Sequence, residues 1–405
     1  MHIAIRSHLL KIFSVCLLLT ACTNGLESSH EASESPQSLL RLGMNDLSIL
    51  FPVFEVKGLA EALPRIFDQP APQTYAQGKD ASPLDGHGFV MEALGQELKD
   101  EAFGRFSDLR LVALRWDPCA NALQVKLGQG PCLRQLRLTW QALQMNEGRA
   151  WGVLDSGIHA IYQLSEEDFK AAVAELIHLH DQASLETRAL PLQVHPVIAR
   201  EGLQSPYLAG VLGLVHRYAR ASKLMQIAFM RRQIDRFPTW EMGLFQVENA
   251  QLHRLNIPFT KAPALVQRLR ANSPVLEVEP RGQTHLSLEV PFVVPGTPAS
   301  PQDNERLNKP FESALAIENP HVANAFSIDC ASCHRSTALY QARKAAEADG
   351  RFAVRGKGYE SEVWNLTPQV TSDPSSLHMF SYFGNQAEIT PRVVNETAEA
   401  LTLIP

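Results

Sequence analysis

Three residues in the last quarter of the sequence have the types and spacing for a specific chemistry: Cys330, Cys333 and His334, in the run Cys-Ala-Ser-Cys-His. Two thiols three positions apart can form thioethers with the two vinyl groups of one porphyrin, and the histidine that follows then lies under the iron as its proximal ligand. A Cys-x-x-Cys pair alone also occurs in zinc sites and redox-active dithiols. We therefore expect one covalent haem c, with a zinc site or a dithiol as the alternatives.

Residues 1–21 have the features of an export signal. Arg6 and Lys11 precede an apolar stretch that is too short to span a bilayer as a helix. The run Leu-Thr-Ala-Cys ending at Cys22 resembles the lipobox of bacterial lipoproteins, in which the signal is cut before the cysteine and the cysteine is acylated. The resemblance implies a lipid anchor on Cys22, and Thr23 in place of an aspartate implies the outer membrane. The alternative is a plain secretory signal with an unmodified cysteine.

The polar, Ser- and Glu-rich segment 22–38 favours a flexible tether between the anchor and a folded body. In an exported chain, Cys119 and Cys132 are expected to form a disulfide, since they enter an oxidising compartment. Such a disulfide would stabilise the fold by about 3 kcal/mol on the chain-entropy model. Two buried free thiols are the alternative.

The charge balance disfavours nucleic acid as a partner. The chain has 37 basic and 43 acidic residues, a formal net charge of −6. Removal of the predicted signal, which carries two basic and no acidic residues, brings the charge to about −8. We expect a redox protein as partner and a membrane contact made through the lipid alone.

Residues 39–295 are predicted to form an α+β domain. Strand-like segments come first, then helices, then strands again, which favours α+β over a doubly wound parallel sheet. In 133–143, apolar and polar residues alternate as in a half-buried strand. Ser165 and Asp168 resemble a capping box at the start of a helix. The remaining segments expected in this domain are strands over 108–116, 151–164, 240–256 and 283–294 and a helix over 207–232.

A Pro-, Gly- and Asn-rich stretch over 295–304 marks the predicted boundary to a second region, 305–405. Helices are expected over 331–346 and 390–403, whereas 311–329 looks like strand and loop interrupted by Pro320. With the Cys-x-x-Cys-His motif, this region resembles a monohaem c-type cytochrome, which implies a small, mainly helical haem-binding region. The usual amphipathic helix before the motif is missing from the pattern, so we expect the haem to sit against the first domain.

The resemblance also implies a second axial ligand to the iron, usually a methionine downstream of the motif. Met379 and the adjacent His378 are the main candidates, and His321 is a third; an open distal site is the alternative. The neighbouring aromatic residues Phe380, Tyr382 and Phe383 could wall a haem pocket or belong to an ordinary core.

Other histidines give weaker signals. His178 and His180 lie two apart on a predicted helix, so they project onto different faces and are expected to be solvated rather than to bind a metal. The remaining isolated histidines suggest no site: His159, His195, His216 and His253.

The motif and the signal together predict a lipid-anchored cytochrome that carries electrons at the periplasmic face or the surface of the outer membrane. An electron carrier is favoured over a catalyst, because the protein needs only to hold the haem and set its potential. A haem enzyme of peroxidase type with an open distal site is one alternative. In the other, residues 39–295 do the work as a binding or scaffold module.

Overall fold

The structure is a computed structural model of the whole chain. It describes the following residues: 41–64, 109–146, 149–183, 186–233, 239–249, 251–257, 264–270, 277–279, 290–291, 301–348, 356–371, 373 and 376–404. The predicted signal, Cys22 and the predicted tether lie outside them. The described residues form one compact unit.

One antiparallel sheet runs through the part of the chain that the structure describes. Its strands lie in the order β1-β2-β3-β5-β6-β7-β9-β10-β11, with β4 paired to β3 and β8 to β7, and β12 and β13 form a separate hairpin. The strands are Ser48–Leu50 (β1), Leu109–Asp117 (β2), Arg134–Asn146 (β3), Arg149–Val153 (β4), Ser156–Leu164 (β5), Leu224–Gln233 (β6), Thr239–Glu248 (β7), Gln251–Leu255 (β8), Ala264–Arg270 (β9), Glu277–Glu279 (β10), Val290–Pro291 (β11), Phe380–Phe383 (β12) and Gln386–Ile389 (β13).

Six of the described α-helices come before the last strand of the large sheet in the sequence, and three come after it. The described helices are Met44–Leu47 (α1), Leu59–Ala62 (α2), Ala122–Lys126 (α3), Glu166–Gln182 (α4), Pro196–Glu201 (α5), Pro206–Tyr218 (α6), Pro301–Glu318 (α7), Cys330–Ala348 (α8) and Pro391–Thr402 (α9). A large sheet with helices supports the α+β prediction, and the helix predicted after Ser165 is confirmed, with the Ser165 hydroxyl accepting from the Asp168 amide at 3.1 Å.

The apolar face of the central strands packs against α4 and α6. Trp116 of β2 meets Tyr218 of α6 edge to face, with ring centroids 5.9 Å apart. The two helices approach closely at Gly210, where a Cβ would lie 2.3 Å from a methyl carbon of Leu179. Burial of these large side chains supplies the main hydrophobic stabilisation of this layer.

The polar face of the same strands is also buried, which corrects the prediction of a half-buried strand over 133–143. Gln141 is fully buried and Thr139 is 5% exposed. The residues after the motif cover them, and Arg115 of β2 binds Glu396 of α9 at 2.6 Å. The alternation in the sequence is correct, but its polar members hydrogen-bond to protein instead of water.

The predicted helix over 207–232 is wrong in its second half. The helix α6 ends at Tyr218, and residues 224–233 form β6, paired with both β5 and β7. The Met, Gln and Arg residues of this segment are good helix formers, and pairing on both edges outweighs their local preference.

The prediction of strand and loop over 311–329 is wrong for its first part, because α7 continues to Glu318, and the loop is confirmed for 319–329. Pro320 follows the helix instead of interrupting a strand, a common position for proline. The predicted helices over 331–346 and 390–403 are confirmed as α8 and α9. The region 305–405 therefore contains helices, but also the β12–β13 hairpin. The predicted division at 295–305 stays a prediction, and the hydrophobic core joins residues from both sides of it.

Cys119 and Cys132 form the predicted disulfide, which closes the connection between β2 and β3. No helix within the described residues combines the length and apolar character needed to cross a membrane. The strand predicted over 283–294 lies mostly outside the described residues.

Candidate haem-attachment site

The Cys-x-x-Cys-His motif forms the first turn of α8. Asp329 precedes the helix, its side chain accepts a hydrogen bond from the Ser332 amide at 2.9 Å, and its carbonyl accepts from the Cys333 amide at 3.1 Å. This is the pattern of an N-terminal helix cap. Because the turn is helical, Cys330, Cys333 and His334 project from positions one turn apart on one element.

The two thiols are free and half-buried. Burial raises the pKa of Cys330 to about 12, and burial also raises the pKa of Cys333, to about 11. A reactive dithiol needs the opposite shift, since the thiolate is the nucleophile. The site therefore disfavours the dithiol alternative.

Zinc binding finds no support in the described part of the chain, where no group of three or more His, Cys, Asp or Glu side chains is arranged to hold a metal ion. A haem iron makes a smaller demand on the protein, because the porphyrin supplies four ligands and the chain only the axial ones. That finding therefore bears on zinc and not on haem.

His334 is held in one tautomer. Its Nδ1 lies 2.5 Å from the carbonyl oxygen of Leu377, so Nδ1 carries the proton and donates it. Burial lowers the pKa of His334 to about 4, so the ring is neutral. Its Nε2 has no hydrogen bond to any residue the structure describes. A neutral imidazole with Nδ1 bound to a carbonyl is the usual arrangement of a histidine that binds a metal through Nε2.

The donor set fits a covalent haem. Two protonated thiols that are not joined to each other are available for thioether bonds, and the neighbouring imidazole has a free Nε2 with the tautomer that iron requires. Cys330 and Cys333 would hold the porphyrin, and His334 would be the proximal ligand.

Each predicted distal candidate has a partner among the described residues. Met379 Sδ lies 3.6 Å from Cys333 Sγ. His378 is 4% exposed, and both its nitrogens have partners: Nε2 lies 2.7 Å from an oxygen of Asp155, and Nδ1 3.0 Å from the Ser381 hydroxyl. The side chain of His321 is half exposed, and its Nε2 lies 2.8 Å from Glu399.

One histidine near the motif was not expected from the sequence. His159 of β5 lies on the polar face of the sheet, with Nδ1 3.2 Å from the Thr139 hydroxyl. Burial and the nearby His334 lower the pKa of His159 to about 3, so this ring is also neutral. A lone histidine in a strand carries no local signal, and only the packing of the motif region onto the sheet brings it to the site.

Of the aromatic residues after Met379, Phe380 and Tyr382 belong to the core, and Phe383 is half-buried. Tyr382 is fully buried, its hydroxyl donates to the Phe51 carbonyl at 2.6 Å, and its ring meets that of Phe54. His180, expected to be solvated, is 8% exposed and lies 2.9 Å from Asp46. This buried pair holds α4 against α1. Because Asp46 is far from His180 in the sequence, the pattern of α4 alone does not predict the contact.

Comparison of the chain with protein-family models, with curated proteins and with solved structures gave no match. The assignment of function therefore depends on the residues and geometry described above.

Proposed function

We propose that this chain is a c-type cytochrome with one covalent haem, attached through Cys330 and Cys333 and bound at the iron by His334. A haem held in this way supplies a one-electron centre. The single observation that carries the proposal is the hydrogen bond from His334 Nδ1 to the Leu377 carbonyl, which leaves Nε2 free for iron.

The surrounding residues suit an electron carrier. Their role is to orient the imidazole and keep it neutral; the Leu377 carbonyl does the first, and the half-buried position of His334 favours the second. A fixed environment reduces the reorganisation that accompanies a change of charge at the iron. We propose electron transfer, with a redox protein as partner, as the activity.

Export and lipidation complete the proposal. Cys22 would carry the lipid and residues 22–38 would tether the folded body to the outer membrane. The Cys119–Cys132 disulfide supports export, because disulfides persist in oxidising compartments. Labelled fatty acid should enter the wild-type protein and should not enter the Cys22→Ser variant.

Covalent attachment is tested by expressing the chain in a host that has the haem-maturation machinery. The wild-type band should keep its haem stain on a denaturing gel, with a mass increase of one haem. The Cys330→Ser/Cys333→Ser variant should lose both. A Cys119→Ser/Cys132→Ser variant is the matched control, since it also lacks two cysteines and should keep the haem. An unstained wild-type protein from that host would overturn the proposal.

A further inference from the structure

We infer that His159, on the central sheet, is the second axial ligand of the haem iron. This inference rests on the proposed function. It places the two iron ligands on different parts of the fold, His334 on α8 and His159 on β5. The haem would then join the sheet to the region that carries the attachment motif.

The register of the sheet places His159 between two residues, Gln141 and Arg137, that lie against segments following the motif in the sequence. His159 pairs with Thr139 of β3, and Gln141 and Arg137 are the next residues of β3 on the same face. Gln141 binds the backbone of Tyr382, and Arg137 lies beside the buried pair that Glu396 forms with Arg115. His159 therefore faces the same layer as the motif.

His159 and His334 are held at Nδ1 in related ways: the carbonyl beside His334 can only accept, and the hydroxyl beside His159 can accept or donate, so iron at Nε2 of His159 requires the tautomer in which Nδ1 donates to Thr139. In each ring a neighbouring oxygen lies at Nδ1, from the Thr139 hydroxyl for His159 and from the Leu377 carbonyl for His334. In each, Nε2 has no hydrogen bond to any other described residue. Orientation of Nδ1 by an oxygen fixes the ring and directs Nε2 toward the metal.

The position of the segment 377–379 argues against Met379 as the ligand. Leu377 accepts the hydrogen bond from Nδ1 of His334, and this nitrogen does not face the iron when Nε2 binds it. Met379, two residues later, rests on the Cys333 sulfur. The segment therefore lies behind the proximal histidine and beside the attachment point, whereas the second ligand must approach from the opposite side.

His378 would have to break strong contacts in order to bind iron. Its Nε2 is bound to Asp155, which is itself held by the Trp240 indole N–H at 2.9 Å. Loss of the histidine would leave a buried carboxylate without one of its partners, which is unfavourable. His159 loses no described hydrogen bond at Nε2 when it binds a metal.

Ligation by two histidines predicts a low-spin iron with a lower reduction potential than ligation by histidine and methionine. The test compares haem-loaded wild-type protein with His159→Gln, His159→Met and His253→Ala variants. His253 is an exposed histidine of the same sheet and serves as the control. Optical and electron paramagnetic resonance spectra report the spin state, and the denaturing-gel stain reports attachment independently.

The wild-type protein and the His253→Ala control should be low-spin and should not bind carbon monoxide. The His159→Gln variant should keep its covalent haem, become high-spin and bind carbon monoxide, and added imidazole should restore the low-spin spectrum. The His159→Met variant should remain low-spin with a higher potential, which shows that the fold is intact. A stained His159→Gln protein that stays low-spin, or a high-spin wild-type protein, would overturn the assignment while leaving covalent attachment in place. Absence of stain from the wild type would instead refute the proposed function.

Discussion

Both polar groups of the Gln141 side chain bind the backbone of Tyr382. The amide Nε2 donates to the Tyr382 carbonyl at 2.9 Å, and Oε1 accepts from the Tyr382 N–H at 2.9 Å. Gln141 thus acts toward the β12–β13 hairpin as a neighbouring strand would. Both residues are fully buried, so the hairpin is fastened to the central sheet out of reach of water.

Replacement of Gln141 by leucine should therefore destabilise the protein substantially. The variant leaves one N–H and one carbonyl buried without partners, a loss of about 2–4 kcal/mol. Urea unfolding followed by circular dichroism measures the change in the free energy of unfolding. A Gln251→Leu variant, at an exposed strand position, is the control and should change it by less than about 0.5 kcal/mol. Equal effects of the two substitutions would contradict the role of Gln141.

The carboxylate of Glu396 should make stability depend on pH at the acid end. Burial opposes its ionisation, but the arginines around it, Arg392, Arg115 and Arg137, prevail and lower the pKa of Glu396 to about 2. Its ordinary value of 4.5 holds in the unfolded chain. The folded protein therefore binds fewer protons, and the stability from this group is present above about pH 4.5 and is lost as the pH falls toward 2.

The Glu396→Gln variant should lose about 3 kcal/mol at neutral pH, because buried guanidinium groups then lack a carboxylate. Its free energy of unfolding should also fall less steeply than that of the wild type between about pH 5 and pH 2. Chemical unfolding at several pH values measures both effects. The exposed residue Glu360 offers the control Glu360→Gln, which should change the free energy of unfolding at neutral pH by less than about 0.5 kcal/mol. Parallel profiles for Glu396→Gln and the wild type would refute the prediction.

The Cys119–Cys132 disulfide should stabilise the protein mainly because it reduces the conformational entropy of the unfolded chain. Removing it in the Cys119→Ser/Cys132→Ser variant should lower the free energy of unfolding by about 3 kcal/mol. The folded loop should survive, since the Asn121 side chain still accepts from the Leu133 amide at 2.7 Å and donates to the Pro131 carbonyl at 2.9 Å.

Two measurements separate the effect of the disulfide on the unfolded chain from the effect of the Asn121 hydrogen bonds on the folded loop. Near-ultraviolet circular dichroism of the folded double variant should resemble that of the wild type, apart from the disulfide signal itself. An Asn121→Ala variant removes the side-chain hydrogen bonds of the folded loop and keeps the disulfide. The slope of its unfolding free energy against urea concentration should therefore match that of the wild type. An unchanged unfolding free energy in the double variant would argue against the link's contribution.

Local patterns in the sequence predict much of the fold. The central strands alternate clearly, and α9 begins where Thr390 provides a cap and Pro391 an allowed first residue. The strand β6 escapes prediction, because its preference is set by strands on both sides and not by its own composition. The burial of the polar face likewise depends on residues such as Glu396, far away in sequence.

Only part of the candidate site can likewise be predicted from local sequence patterns. The spacing of Cys330, Cys333 and His334 is a local signal, and the proposed attachment chemistry rests on it. The oxygen that orients His334 belongs to Leu377, and a backbone carbonyl leaves no trace in a sequence. His159 lies far from the motif along the chain, so its relation to the motif exists only in the folded molecule.

The burial of the thiols has a consequence for biogenesis. The residues that lie against His334 and Cys333, Leu377 and Met379, come after the motif in chain order, as does the hairpin that Gln141 fastens. In the proposed cytochrome, the sulfurs would be most accessible before these later segments dock. A ligase that attaches haem to them would act best within that interval, so the yield of mature protein would depend on a kinetic competition between the enzyme and the closing of the chain.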